Sequence, residues 1–315
     1  MSFDYRSQCV AAASRIASHV RHTPVEFSQT LSRLTGARVH LKLENLQATG
    51  SFKLRGATNA VLSLAERVDA IAAASSGNHG IAVARAAAEG GLDALIFVPE
   101  GVAGSKLAAI EAYGADVRRV DGDPVEAERA ARAHSGQHGI PYLSPYNDPL
   151  IVAGQGTVGV ELAADLDSLD LVVASMGGGG LISGVGGYLK AAWGCDVLAC
   201  SPANSAVMHE SLAAGRILDL PSLPTLSDGT AGGVEEGAIT FDMCREVIDH
   251  SVTVTEDEIA AAMRLVISNH HTLIEGSAGV AVAGFMRNAE RWQDRDVAIV
   301  LCGANVAPEV LKLVL

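Results

Sequence analysis

Lysine is rare in this chain. Only five of its 315 residues are lysines, at Lys42, Lys53, Lys106, Lys190 and Lys312, so a reactive amine has few places to sit. Aromatic residues make up 4%, which leaves the core to aliphatic side chains and close backbone packing. Charged residues reach 19% against 49% hydrophobic, the reverse of the balance that keeps a chain disordered. The net charge is −13 and no basic run or basic helix face is present. Nucleic acid, which needs clustered Lys and Arg to displace counterions, is therefore not expected as a partner. Anionic membrane surfaces are disfavoured on the same ground. The five cysteines, Cys9, Cys195, Cys200, Cys244 and Cys302, are odd in number and form no CxxC pair. No disulfide framework is expected, and a reducing cytoplasmic setting fits. The N-terminal residues show no long apolar core and no cleavage pattern, so no signal peptide is read. Leu171–Leu189 runs 19 residues without a charge, long enough for a membrane span. Its seven glycines make a poor helix, and a buried strand followed by a glycine loop is expected instead.

What is present is an alternation of short apolar runs and helix-period segments. Val39–Leu43, Ala70–Ala74, Leu95–Val98, Val117–Val120, Leu171–Ser175, Val197–Cys200 and Val297–Leu301 read as strands. Between and after them, Lys53–Ala65, Gly80–Ala88, Ser105–Tyr113, Pro124–His134, Gly156–Leu166, Glu256–Asn269 and Ser277–Asn288 suit helices. This predicts an α/β fold with mainly parallel sheets, because strands buried on both faces read as continuously apolar. The stretch Pro141–Pro149 is the expected inter-domain connection. Thr255 and Glu258 are spaced as a helix capping box. Pro202–Gly237, rich in Pro and Gly, is expected to wrap the surface near a site.

Four constellations carry chemistry. In Ser51-Phe52-Lys53-Leu54-Arg55-Gly56 a lysine opens a predicted helix between apolar neighbours. Desolvation and the positive end of the helix dipole both depress an ammonium pKa, as a Schiff-base lysine requires; by itself the pattern equally describes a solvated lysine. Ser75-Ser76-Gly77-Asn78-His79-Gly80 follows an apolar run and opens a helix, either an anion site or an ordinary capping turn. Met176-Gly177-Gly178-Gly179-Gly180-Leu181 follows the strand Leu171–Ser175, and four glycines let several amides converge on one phosphate. A dinucleotide fingerprint needs a third glycine where Ser183 stands and an acid at the end of the next strand, where Cys200-Ser201 stand; a lone phosphate is favoured. Leu301-Cys302-Gly303-Ala304-Asn305 ends the last strand and alone signals little. No zinc spacing, GxSxG elbow or P-loop is found, and no metal site is expected.

In this order, SFKLRGA, SSGNHG, the tetraglycine and CGAN closely resemble the fold-type II pyridoxal-phosphate enzymes, in the threonine/serine dehydratase and serine racemase group. The resemblance spans about Pro24 to Asn305, with further matches at Leu43-Glu44-Asn45, Val152–Thr157, Asp228-Gly229 and Glu275–Gly279. It implies a tryptophan synthase β-like architecture of two domains with mainly parallel twisted sheets. A large cofactor-binding domain would comprise residues 1–50 and 148–315, and a small mobile domain residues 51–147. Lys53 would carry pyridoxal 5'-phosphate as a Schiff base and serve as a catalytic base. Phe52 would pack beside the ring, Asn78 would bond its phenolic oxygen, and Gly177, Gly178, Gly179, Gly180 and the amide of Leu181 would hold the phosphate. Cys302 would face the pyridine nitrogen. Ser75, Ser76, Gly77 and His79 would meet the substrate, with Ser76 the proton carrier on the far face in racemising relatives.

The activity so implied is β-elimination from a β-hydroxy amino acid such as threonine or serine, giving a 2-keto acid and ammonia in a cytoplasmic homodimer. Racemisation is the near alternative, and a dehydratase for 3-hydroxyaspartate or phenylserine another. A non-catalytic phosphate-ligand binding protein is the reading from a different class. Two departures from the group stand out. Where many relatives place two carboxylates for a divalent cation, this chain has Ser201 and Ala206-Val207, so little activation by Mg²⁺ is expected. After Asp228-Gly229 it reads Thr230-Ala231-Gly232-Gly233, which is expected to enlarge the substrate side of the pocket.

Overall fold

The computed structural model describes residues 3–315. Among the described residues nine strands form two sheets: β1 (Val25–Phe27), β2 (Arg38–Lys42), β3 (Ala70–Ala74), β4 (Asp93–Pro99), β5 (Asp116–Val120), β6 (Leu171–Ser175), β7 (Asp196–Pro202), β8 (His250–Val254) and β9 (Asp296–Val300). The larger sheet has the order β1-β2-β9-β6-β7-β8 and the smaller β3-β4-β5. All pairings are parallel except β1 on β2. Register follows burial: Val39 lies beside Val297, Val172 beside Ala298 and Val173 beside Leu198. All five residues of β6 are buried, as a central parallel strand covered on both faces requires.

Each sheet has its own apolar core. The large one gathers β6, β7 and β9 with the helices Pro149–Asp165, Gly180–Trp193 and Gly276–Asn288. The other joins Leu54, Ala57 and Val61 of the helix Lys53–Leu64 to Ile71, Val83 and Ile96. Burying each such aliphatic side chain contributes about 1.5–3 kcal/mol.

The structure corrects the reading of Leu171–Leu189. The strand is there, but the residues after the tetraglycine form the helix Gly180–Trp193. Its glycines serve close packing rather than breaking the helix. A Cβ on Gly184 would press into the Val152 carbonyl and the Gly156 backbone, so the two helices cross at a distance only glycine permits. Further elements were not anticipated, among them the helices Gln29–Thr35, Val207–Ala214, Ile239–Val247 and Pro308–Val314. The helix Tyr5–Ile16 packs on the neighbouring helices through the buried Tyr5 and Cys9. β1 has only three residues, and β8 carries a polar, partly buried pattern at the sheet edge. The Pro141–Pro149 stretch runs directly into a helix that begins at Pro149 with Asp148 as its cap, seven residues before the expected start at Gly156. The Thr255–Glu258 capping box is present in both directions.

Both parallel sheets send loops from strand C-terminal ends into helix N-termini, and the site is built there, as open α/β sheets dictate.

Candidate active site

β6 delivers Ser175 and then Gly177–Gly180 to the rim of a cavity of about 150 Å³, open at its mouth. The loop is fixed by strand neighbours: Met176 N donates to the Cys200 carbonyl at 2.7 Å and Ser201 Oγ donates to the Met176 carbonyl at 2.9 Å. Gly179 is the helix cap at φ +86°, in the left-handed region. The first bond of the helix runs from Ser183 N to the Gly179 carbonyl, so the amides of Gly180, Leu181 and Ile182 precede it and remain available to a ligand. Side chains from elsewhere close in where this loop has none: a Cβ on Gly178 would strike the Tyr146 ring, and one on Gly177 would meet the Thr230 backbone.

Lys53 enters from the opposite direction, as the first residue of its helix. It is half-buried, lines the cavity and donates from Nζ to the Pro145 carbonyl at 2.8 Å. Burial pulls its ammonium down from 10.5 to about 8, against the opposing influence of Cys302 and Glu275. Phe52 lines the cavity beside it, its ring centre 5.2 Å from Nζ. This corner is held by the end of β9. Phe52 N donates to the Cys302 carbonyl at 3.0 Å, and Ser51 pairs with Gly303 in an isolated antiparallel bridge. Two residues on, Arg55 is wholly buried and joins Glu44 and Glu161 in ion pairs of 2.7 and 2.6 Å, which anchors the first helical turn.

Asn78, Glu275 and Asn305 form a polar floor. Asn78 Nδ2 donates to both oxygens of Glu275 at 3.0 Å. Asn305 Nδ2 donates to Asn78 Oδ1 at 2.6 Å, and Asn305 N to Glu275 Oε2 at 3.1 Å. Burial raises the Glu275 carboxyl from 4.5 to about 7, the largest influence among several. The Cys302 thiol lies 3.6 Å from Ser175 Oγ. Burial above all pushes its pKa far up, so it is a neutral thiol at working pH.

The expected site residues therefore divide. Phe52, Lys53, Asn78, Gly177–Gly180, Leu181 and Cys302 share one cavity. Ser75, Ser76 and Gly77 are half-buried just ahead of the helix Asn78–Gly90 and do not line it, and Ser75 Oγ accepts from Gly77 N at 3.2 Å. His79 faces away from it. Its buried ring meets the Leu143 carbonyl through Nε2 at 2.9 Å, and burial first, then the Lys53 charge, lower it to about 3. It is a neutral imidazole donating to that carbonyl, and it ties the loop to the Pro141–Pro149 stretch. Six cavity residues had no role assigned from the sequence: Glu275, Ser277 and Gly229, which lay in matched motifs without one, Ser175 at a strand end, and Tyr146 and Pro145, which stood in a stretch taken only as a connection.

The donor set suits pyridoxal phosphate. A side-chain-free amide cradle at a helix start matches a phosphate. An amine of lowered pKa matches an aldehyde, the second N–H of Asn78 matches a phenolic oxygen, and a neutral thiol beside a hydroxyl matches an unprotonated ring nitrogen. Among the described residues, no group of three or more His, Cys, Asp or Glu is placed to hold a metal ion.

Comparison with known proteins agrees with this geometry. The family model described as "Pyridoxal-phosphate dependent enzyme" matches residues 16–303. An L-threonine ammonia-lyase of Thermotoga maritima is 38% identical over 301 residues, 94% of this chain and 75% of the relative. A beta-hydroxyaspartate dehydratase of Paracoccus denitrificans is 33% identical over 300 residues, 94% of this chain and 95% of the relative. The crystal structure of serine racemase from Dictyostelium discoideum superposes with a TM-score of 0.89 at 33% identity, covering 96% of this chain and 98% of the other.

Proposed function

This chain belongs to the pyridoxal-phosphate-dependent enzymes, in the fold-type II family of threonine dehydratases and serine racemases, and from that premise we propose that it eliminates water from a β-hydroxy amino acid, the released enamine then taking up water to give a 2-keto acid and ammonia. The observation that carries the reading is Lys53: an amine brought to about 8 by burial, lining the cavity that the glycine cradle also lines. Pyridoxal phosphate, when bound, supplies the electron sink for the pair left at Cα. The chain supplies the rest. The amides from Gly177 to Leu181 fix the phosphate and so orient the ring. Lys53 would hold the aldehyde of the bound cofactor and, once its amine is free, would take the Cα proton with a group already poised near neutrality. Cys302, held as a neutral thiol, would leave the ring nitrogen without a proton, an environment that would favour loss of the β-hydroxyl over transamination. Ser75, Ser76 and Gly77 receive the substrate carboxylate after a shift of their loop toward the cavity.

Racemisation is the second reading. Ser76 favours it, as a half-buried hydroxyl two residues ahead of the cavity-lining Asn78, with no hydrogen-bond partner among the described residues, together with similarity to a serine racemase. The same proposal includes a homodimer in the cytoplasm, with sedimentation as the check on assembly. Among the described residues no helix is long and apolar enough to cross a membrane.

The test is direct. Purified protein loaded with the cofactor should absorb near about 410–420 nm and release keto acid from L-threonine or L-serine, and Lys53→Ala should lose both. Chiral analysis of remaining substrate separates elimination from racemisation. A colourless protein indifferent to Lys53→Ala overturns the enzyme reading.

A further inference from the structure

The cavity's walls bear on which substrate side chain it takes. Identity to relatives does not decide this, since a threonine enzyme and a hydroxyaspartate enzyme are similarly distant. Charge is the first observation. Among the described residues lining the cavity, Lys53 is the only cation, and the reaction uses it; the one lining carboxylate is Glu275. The second observation is shape. Pro145 and Tyr146 line the cavity, and so do Gly229–Gly233. Tyr146 is locked, its ring over Gly178 and its hydroxyl accepting from Glu235 N at 2.9 Å. Gly232 and Gly233 are exposed and have open space where a side chain would be. The third is the rim. The strap 228–236 carries Asp228, Glu235 and Glu236, against which the structure sets Lys106 at 3.4 Å from Asp228 and Arg132 at 2.7 Å from Glu235. Arg132 is further engaged by Glu128 and the Tyr142 ring, so no cation is left over to meet a ligand.

We propose that this cavity selects amino acids whose side chain carries no negative charge, and that beside the side-chain-free Gly232-Gly233 it admits an apolar substituent larger than a methyl, up to an aromatic ring. A side-chain carboxylate entering here would be desolvated without a cationic partner and would face an acidic rim, both costly. The turnover arm of the test rests on the elimination reading; the binding arm does not.

In the binding arm, the cofactor-loaded enzyme is titrated with the unreactive amino acids L-phenylalanine, L-norvaline and L-aspartate while its visible band is followed. Phenylalanine and norvaline should perturb the band at concentrations at least about tenfold below aspartate, about 1.4 kcal/mol. Aspartate acting at an equal or lower concentration overturns the proposal. Gly233→Arg places a cation on the open wall where the fold has room, and should bring aspartate's concentration down about tenfold. No change in that variant also overturns it, because the strap would then not face the side chain.

In the turnover arm, keto acid is measured from L-threonine, threo-3-phenylserine and 3-hydroxyaspartate. Fastest release from 3-hydroxyaspartate overturns the selection while upholding elimination. Release from none of the three removes the elimination reading and leaves the binding result to decide the selection.

Discussion

Two loops of this molecule have the same origin and opposite characters. Ser75–Gly77 leaves β3 and Gly177–Gly179 leaves β6; each ends a parallel strand and opens a helix. The glycine loop lines the cavity throughout, with its backbone bare and its flanks filled by Tyr146 and Thr230. The serine loop is turned inward on itself: Ser75 Oγ holds Gly77 N, a Cβ on Gly80 would collide with the Ser75 carbonyl, and only Asn78 reaches the cavity. A loop without side chains is complete before the ligand arrives. A loop whose Ser75 hydroxyl is engaged locally and whose serines stand back from the cavity must reorganise to recognise anything. Cofactor affinity should therefore depend on the first loop, and substrate affinity on the second.

The largest effect is expected from the glycine loop. Gly178→Val drives a branched side chain into the Tyr146 ring and should weaken cofactor binding about 100-fold or more, the loss of one or two charge-assisted hydrogen bonds. Fluorescence or absorbance titration with pyridoxal phosphate checks it. Unchanged affinity would show that the phosphate lies elsewhere.

Next is the floor that joins the loops. Glu275→Gln keeps the shape but donates toward Asn78 where the carboxyl accepted, and should cost about tenfold in kcat from one disturbed hydrogen bond. It also has a stability signature. Between the carboxyl's ordinary 4.5 and about 7, the folded cofactor-free chain holds a proton that the unfolded chain has released. Stability should therefore fall as pH rises through that window. The variant should lack this fall, as thermal melts at pH 5, 6 and 7.5 would reveal.

The amine between the loops titrates separately. Lys53 is uncharged only above about 8, so the rate at which cofactor-free protein develops its visible band on adding pyridoxal phosphate should rise about tenfold per pH unit below that value and level off above it. A rate flat from pH 6 to 9 contradicts the burial argument.

The smallest effect belongs to the serine loop. A Cβ on Gly77 meets open space, so Gly77→Ala should leave cofactor affinity within about twofold and raise KM for the amino acid only. A loss of cofactor affinity comparable to Gly178→Val would erase the distinction between the loops.

Much of this was legible in the chain itself, for identifiable reasons. Ala70–Ala74 and Leu171–Ser175 have the expected bounds as β3 and β6 because parallel strands covered on both faces are uniformly apolar and give way to serine at their ends. The helix after the tetraglycine was not legible, since glycine's propensity argues against a helix. Only the neighbouring helix, with Gly156 set against Gly184, explains why glycine is needed there. β8 was missed because an edge strand buried on few sides keeps its His, Ser and Thr. Within the site, Lys53 stood out as a lysine between apolar neighbours. Tyr146 and Glu275 did not, because their roles depend on contacts 32 residues away with Gly178 and 30 away with Asn305. His79 misled through its place in a polar loop, when its ring turns back to the Leu143 carbonyl.

The most direct measurement uses the scarcity of lysine. Holoenzyme treated with borohydride, digested and mapped by mass spectrometry should carry reduced pyridoxyl phosphate on Lys53 and on none of Lys42, Lys106, Lys190 or Lys312. Label on another of the four, or on no lysine at all, would contradict the account.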